Sequence, residues 1–185
     1  MQFTDEQKSE LLGYARQVLV HIVKDGKKVE QDCPDSNYLE SAGVFVSLHK
    51  GKELRGCIGY IEPVSSIWDA IADNAVASAT RDVRFLEVSV EELDEIKIEI
   101  SILTPAKECQ LEDIEAGKHG VIIQQGPHKA TYLPQVWESL SSKEKFLGTL
   151  CQKAGLGETC WTDKSTKFYK YEAIVFSENS QGGTV

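Results

Sequence analysis

Two strand-like hairpin patterns, each followed by a proline and a capped helix, constrain the fold of this chain most. The first hairpin has strand patterns over 44–48 and 54–61. The second has strand patterns over 120–123 and 130–133, about 77 residues later. The short segment between the two strand patterns of each pair is typical of a turn that joins antiparallel strands. The recurrence predicts an internal strand-hairpin-helix duplication, and a sheet shared by both halves would have a cleft between them.

The length of the chain fits one domain, or one domain with two lobes, and the sequence carries clear helix and strand signals. Thr4 and Gln7 form a capping-box pattern before an apolar helical repeat that ends at Gly26. Alternating isoleucines over 96–102 predict a half-buried strand, and residues 168–176 predict one final strand. Residues 177–185 are polar and glycine-rich, which predicts a flexible tail.

The composition excludes several classes of protein. The net charge of −9 repels polyanions, so nucleic acid and anionic membranes are not expected as partners. No apolar run approaches the roughly 20 residues that a membrane span needs. The first residues lack the basic start and apolar core of an export signal, which predicts a cytoplasmic location.

The five cysteines have no spacing that indicates a metal knuckle or a disulfide framework. Their number is odd, and no two are separated by only two residues. We therefore expect reduced thiols. The histidines and carboxylates show no metal-ligand spacing either, so neither a metal nor another cofactor is expected.

The segment Leu54-Arg55-Gly56-Cys57-Ile58-Gly59 is the strongest candidate for a functional site. The chain has four arginines against sixteen lysines, and three of the arginines, Arg55, Arg81 and Arg84, lie within thirty residues. A guanidinium can pair with a carboxylate or phosphate through two parallel hydrogen bonds, which a lysine cannot do. This clustering predicts a site for an anionic group.

Each candidate residue also has a structural explanation. Arg55 lies in an apolar strand, where it needs either a ligand or an internal partner such as Asp82 or Glu138. Arg81 and Arg84 follow a predicted helix and could stabilise its C-terminal end. The acidic run 91–95 is interpreted as solvated surface.

Two interpretations remain open for the glycines and for the cysteine of the 54–59 segment. Gly56 and Gly59 allow either close packing or the approach of an anion to exposed backbone N–H groups. Cys57 is either a nucleophile activated by a neighbouring arginine or a buried, inert thiol.

Four motifs in order resemble the AMMECR domain family, also called AmmeMemoRadiSam system protein A. The resemblance runs from about residue 5 to residue 176. It rests on the segment 54–59, the pentad 81–85, the segment 133–138, and 150–156 with the later Trp161. Two positions depart from the family pattern: Val83 stands where relatives often have proline, and Phe85-Leu86 replaces a Phe-Pro pair.

The resemblance implies an α+β domain with two lobes around a largely antiparallel, barrel-like sheet flanked by helices. It also implies genomic company with a Memo-type protein and a radical S-adenosylmethionine enzyme, either of which could be a partner. It supplies no established reaction.

We expect an accessory module that binds a small anionic ligand or a protein partner in a cleft lined by the motif. No nucleophile, base and orienting group can be assembled from the sequence, so catalysis is the alternative. In that alternative, Cys57 attacks a small anionic or carbonyl substrate that arginines hold. The predicted ligand-binding residues are Arg55, Gly56, Gly59, Arg81, Asp82, Arg84, Gln135 and Glu138.

Overall fold

A computed structural model describes residues 1–29, 31–140 and 142–178. Three α-helices lie in these ranges: α1 (Asp5–Asp25), α2 (Ile67–Thr80) and α3 (Lys143–Lys153). The eight strands of the same ranges are β1 (Gly43–Lys50), β2 (Glu53–Tyr60), β3 (Ile96–Leu103), β4 (Lys107–Cys109), β5 (Gly120–Gln125), β6 (His128–Tyr132), β7 (Lys167–Tyr171) and β8 (Ala173–Ser177). Short 3₁₀ helices are Ser36–Leu39, Val90–Glu92, Leu111–Asp113, Pro134–Glu138 and Cys160–Thr162.

The ends of α1 follow directly from its sequence. The Gln7 backbone N–H donates to the Thr4 hydroxyl at 3.2 Å, and the Gln7 side chain accepts from the Thr4 N–H at 3.0 Å. Gly26 closes the helix in the left-handed conformation, at φ 65°. The predicted capping box and helix end are confirmed.

The chain forms two compact units, and one is inserted into the other. Among the described residues, unit 1 contains 1–102 and 174–178, and unit 2 contains 103–173. Unit 1 has the sheet β2-β1-β3-β8, and unit 2 has the sheet β4-β7-β5-β6. The chain leaves unit 1 at the end of β3 and returns at the start of β8, which is the neighbour of β3.

The predicted α+β class with largely antiparallel strands is confirmed. The hairpin-then-helix order also recurs: β1, β2 and α2 follow one another in unit 1, as do β5, β6 and α3 in unit 2. The strands are divided between two sheets, so the two halves do not share one. The single final strand predicted over 168–176 is wrong, because the chain passes from one sheet to the other at Glu172.

Each unit has its own apolar core. In unit 1, the Tyr14 ring of α1 stacks on the Trp68 ring of α2 at 3.6 Å. In unit 2, Trp137 stacks on Phe146 at 3.6 Å. Separate cores explain why each unit is compact by itself.

Cys151 and Cys160 form a disulfide, so the expectation of five reduced thiols is wrong. Cys151 lies in the last turns of α3 and Cys160 begins a 3₁₀ helix. The turn between them brings their Cα atoms to 5.9 Å, within the range that a disulfide spans. Cys33, Cys57 and Cys109 are outside this bond.

The C-terminal end of the described chain belongs to unit 1. Ser177 is the last residue of β8, and the Glu178 carboxylate accepts from Arg16 Nε and from the Ile98 N–H, both at 2.8 Å. These two residues are therefore not part of a flexible tail. Residues 179–185 of the predicted tail lie outside the described residues.

Across the described ranges, no helix combines the length and the apolar character needed to cross a membrane.

Candidate functional site

The motif strand β2 is irregular at Arg55, and this determines where the arginine points. Leu48 of β1 pairs with Gly56, whereas His49 pairs with Leu54, so Arg55 is an extra residue in β2. A β-bulge of this kind breaks the regular alternation of side chains and re-aims one of them. The Arg55 guanidinium reaches the segment that follows α2.

Arg55 makes four hydrogen bonds to that segment. Nε and Nη2 donate to the two carboxylate oxygens of Glu92 at 2.9 and 3.0 Å. Nη1 donates to the Leu86 carbonyl at 2.8 Å, and Nη2 donates to the Glu87 carbonyl at 3.2 Å. The Arg55 side chain is 15% exposed. Arg55 thus has an internal ion-pair partner, but the predicted partners, Asp82 and Glu138, are wrong.

Glu92 is the partner that sequence reasoning missed. Its side chain is largely buried, so the interpretation of the acidic run as solvated surface is wrong at this residue. The hydrogen bonds from Arg55 lower the pKa of Glu92 to about 2. The Ser89 N–H also donates to Glu92 at 3.1 Å. The Ser-x-x-Glu spacing of a capping box was the available signal for this carboxylate.

Asp82 connects the motif strand to Arg84. Its side chain is 4% exposed, and its Oδ2 accepts from Arg84 Nη2 at 2.7 Å and from the Cys57 N–H at 2.9 Å. Its Oδ1 accepts from Arg84 Nε at 2.9 Å. The hydrogen bonds from Arg84 and from the Cys57 backbone lower the pKa of Asp82 to about 2. Asp82 is therefore ionised near neutral pH and balances the charge of Arg84.

The backbone N–H groups beside Gly56 are engaged by unit 1 itself. The Cys57 N–H donates to Asp82, and the Ile58 N–H donates to the Ser78 hydroxyl at 2.9 Å. A Cβ on Gly56 would lie 2.3 Å from the Ser78 carbonyl of α2. The close approach of α2 therefore explains Gly56.

Gly59 is explained by its neighbours on β1. A Cβ at Gly59 would lie 2.3 Å from the Phe45 ring and 2.4 Å from the Val44 carbonyl. A side chain there would require one strand to move. Of the two readings left open for the motif glycines, the packing geometry supports the structural one.

Cys57 is half-buried, so its burial alone does not decide between an activated nucleophile and a buried, inert thiol. The Ser47 hydroxyl donates to its sulfur at 3.2 Å. Arg84 Nη2 donates to the Cys57 backbone carbonyl at 3.3 Å. The cysteine thus lies next to an arginine whose charge is shared with Asp82.

The outer face of the same segment is apolar and exposed. Val83 is 99% exposed, although it lies between the paired side chains of Asp82 and Arg84, and Leu86 is 88% exposed, although its carbonyl accepts from Arg55. Arg84 is 53% exposed. Arg81 is also exposed, and its guanidinium has no hydrogen-bond or ion-pair partner among the described residues. The 81–87 segment therefore presents two apolar side chains and two arginines.

The candidate residues fall into both units. Arg55, Gly56, Cys57, Gly59, Arg81, Asp82 and Arg84 belong to unit 1. Gln135 and Glu138 belong to unit 2, in the 3₁₀ helix Pro134–Glu138, where Glu138 is exposed. The site described above therefore consists of residues from unit 1. Within the described ranges, no cluster of histidine, cysteine and carboxylate side chains could hold a metal ion.

The fold and the arginine-bonded segment define an α+β domain of two units, each with its own antiparallel sheet. Residues 12–176 match the AMMECR1 family, and the chain belongs to this family.

Archaeal relatives match nearly the whole chain. Protein MK0488 of Methanopyrus kandleri is 38% identical, over 98% of this chain and 93% of its own length. Protein MJ0810 of Methanocaldococcus jannaschii is also 38% identical, over 93% of this chain and 90% of its own length. The crystal structure of the uncharacterized protein PH0010 from Pyrococcus horikoshii has a TM-score of 0.90 and 33% identity. That match covers 97% of this chain and 95% of the other. These names specify no activity.

Proposed function

We propose that this protein is an accessory binding module that holds a protein partner through the 81–87 segment. The observation that carries the proposal is the contrast between the two sides of the segment. Its inner side is bonded to β2 through Arg55 and Asp82, whereas its outer side exposes Val83 and Leu86. An exposed apolar pair on a fixed backbone is suited to bind a partner with little loss of conformational entropy.

The charges around the apolar pair favour a partner that carries carboxylates. Arg55 and Arg84 are paired with Glu92 and Asp82, so three uncompensated arginines are not available. Arg81 and the exposed part of Arg84 remain to bind an acidic group. Arginines at the rim of an apolar contact are common in protein interfaces, where they form bidentate pairs with carboxylates.

Two proteins are the first candidates for the partner: a Memo-type protein and a radical S-adenosylmethionine enzyme from the same genome. Each would be immobilised, and binding of the chain would be measured by biolayer interferometry. We expect Leu86→Ser to weaken binding by about tenfold, because a hydrophobic contact is lost at the centre of the interface. The matched control is Leu39→Ser, which removes another exposed leucine of unit 1.

The proposal fails if neither protein binds, or if Leu86→Ser and Leu39→Ser have equal effects. If Arg81→Gln weakens binding of the partner more than Lys52→Gln does, the result would support recognition of carboxylates by Arg81. Both changes remove one exposed positive charge, so they separate a local contact from the general effect of net charge.

Catalysis by Cys57 is the second candidate, favoured by the half-buried thiol beside Arg84. Alkylation of the native protein with iodoacetamide distinguishes the two functions. A nucleophile should be labelled at Cys57 before Cys33 and Cys109. Labelling of Cys57 only after unfolding would exclude a nucleophilic role and leave the binding function intact.

A further inference from the structure

A cavity of about 550 Å³ lies within unit 2, among residues that the sequence motifs do not include. This volume is in the range of small-molecule sites. The side chains that matter for binding come from the start of β4, the turn before β5 and the end of β7. They are Lys107, Lys118, His119, Lys170 and Glu172.

His119 is the buried polar group of this cavity. Its side chain is 5% exposed, and its Nδ1 accepts from the Glu115 N–H at 3.0 Å. Because Nδ1 is an acceptor, the neutral ring carries its hydrogen on Nε2. Glu172 Oε1 is 4.0 Å from Nε2, which is beyond hydrogen-bond distance. Among the described residues, Nε2 has no hydrogen-bond acceptor, so a donor faces the cavity.

Two lysines lie opposite each other beside this donor. Lys107 of β4 and Lys170 of β7 are direct partners in the antiparallel register. Like charges at directly opposed positions of a sheet repel each other. Lys170 donates to the Asp113 carbonyl at 2.9 Å, whereas Lys107 has no partner among the described residues. An anion bound between them would attract both ammonium groups and so offset their mutual repulsion.

Lys118 and Glu172 complete the charged wall. Lys118 Nζ is 3.7 Å from Glu115 and 3.6 Å from Glu172, so the two carboxylates share one ammonium. Lys107, Lys118 and Lys170 against Glu115 and Glu172 leave an excess of positive charge in the cavity. The chain as a whole is acidic and repels a polyanion, so the local positive charge of the cavity favours a small anion.

We propose that this cavity is a second binding site, which takes a small molecule bearing a carboxylate or phosphate group. The anionic group is bound by His119 Nε2–H and by the ammonium groups of Lys107 and Lys170. Glu172 is positioned to accept a hydrogen bond from a hydroxyl or amino group of the same molecule. The site is separate from the 81–87 segment and does not depend on the function proposed there.

His119 acts in this site as a neutral donor, because protonation would add a hydrogen to Nδ1, which faces the Glu115 N–H. Burial and the nearby Lys170 and Lys118 lower the pKa of His119, while Glu115 and Glu172 oppose this shift. The Glu115 N–H opposes the imidazolium form in the same direction as burial, so the neutral ring offers its Nε2–H to the anion. Anion binding should therefore not require protonation of His119.

The test uses inorganic phosphate and succinate as probes at constant ionic strength. Amide shifts of the ¹⁵N-labelled full chain are followed during each titration, together with the ring nitrogens of His119. We expect Lys107→Gln to weaken binding of at least one probe by about tenfold, since a charge-assisted hydrogen bond is lost. The control Lys164→Gln removes an exposed lysine elsewhere in unit 2 and should change the affinity less than about twofold.

Binding of phosphate alone or of succinate alone identifies the anionic group. The proposal is overturned if neither probe binds, or if Lys107→Gln and Lys164→Gln have the same effect. It is also overturned if the shifts occur away from Lys107, His119 and Lys170. His119→Asn supplies an independent check, because its amide oxygen can replace Nδ1 as an acceptor while the Nε2–H donor is lost. This variant should reproduce the loss seen with Lys107→Gln.

Discussion

Phe85 is close to two guanidinium groups, and this contact helps to hold a segment that has little apolar burial. Its ring centroid is 5.9 Å from the Arg55 guanidinium carbon and 5.3 Å from that of Arg84. Both distances are within the range of a cation–π contact. Arg55 thus holds the 81–87 segment through the Phe85 ring and through the Leu86 and Glu87 carbonyls, and Arg84 pairs with Asp82 within it.

Arg55→Lys should lower the free energy of unfolding although the charge is kept. A lysine ammonium can reach Glu92, but it cannot also bond the Leu86 and Glu87 carbonyls in the geometry of the fork. We expect a loss of about 2 kcal/mol, measured by urea unfolding. Arg81→Lys is the control, since Arg81 is exposed, and it should have almost no effect. Equal losses in the two variants would contradict the role assigned to Arg55.

The stability of the protein should decrease in acid because of Asp82 and Glu92. Their pKa values in the folded state are about 2, below the ordinary values of 3.8 and 4.5. Such groups stabilise the fold above their unfolded pKa and lose this contribution as the pH falls from about 5 to about 2. Each should contribute on the order of 1–2 kcal/mol, reduced by solvent screening at the half-exposed Arg84.

The measurement is urea unfolding across this pH range for the wild type and for Glu92→Gln. The variant should show a flatter pH profile, because it lacks one of the two carboxylates. Glu87→Gln is the control, since this exposed side chain is outside the ion pairs. A wild-type profile that is already flat would contradict the buried carboxylate pairs.

At the scale of elements, regular periodicity was predictable and local irregularity was not. The cap of α1 at Thr4 and the alternating isoleucines of β3 are signals from neighbouring residues, and both elements form as expected. The bulge at Arg55 depends on pairing between two strands, which no residue pattern marks. The break at Glu172 was hidden because alternation continues through it while the chain changes sheets.

The candidate site shows the same division between local and long-range information. The clustering of arginines in the sequence pointed to Arg55 and Arg84, which both lie over the Phe85 ring, and Asp82 pairs with Arg84. The sequence did not identify the pairing of Arg55 with Glu92, which lies 37 residues away. Choosing among the acidic residues of the chain requires the path of the segment after α2, and this path has no periodic signal.

The disulfide between α3 and the following 3₁₀ helix leads to a prediction at the scale of elements. Cys151→Ser should destabilise the protein by about 2–3 kcal/mol under oxidising conditions, because a loop of nine residues is no longer closed in the unfolded chain. Cys109→Ser is the control, since Cys109 is a thiol of the same unit. Thermal unfolding with and without a reductant measures both effects. A reductant that leaves the wild-type midpoint unchanged would contradict the disulfide.

For the whole molecule, the sequence predicted the class of fold and, through its resemblance, two lobes, but not a separate sheet in each of them. A chain of 185 residues fits one domain by length, and the net charge says nothing about sheet number. The division depends on which strands pair, and β3 pairs with β8 across an insertion of about seventy residues. Pairing between strands this far apart cannot be recognised from local sequence patterns. The recurring order of hairpin and helix can be, because it follows from neighbouring residues.

The insertion of unit 2 between β3 and β8 also determines how the molecule would respond to mechanical force. If the chain is pulled by handles at Gln2 and Ser177, both handles are attached to unit 1. Tension then passes through α1 and the sheet β2-β1-β3-β8, while the inserted unit carries no load as long as β3 and β8 remain hydrogen-bonded. In a single-molecule pulling trace, unit 1 should therefore yield first, and the extension of unit 2 should follow as a later event.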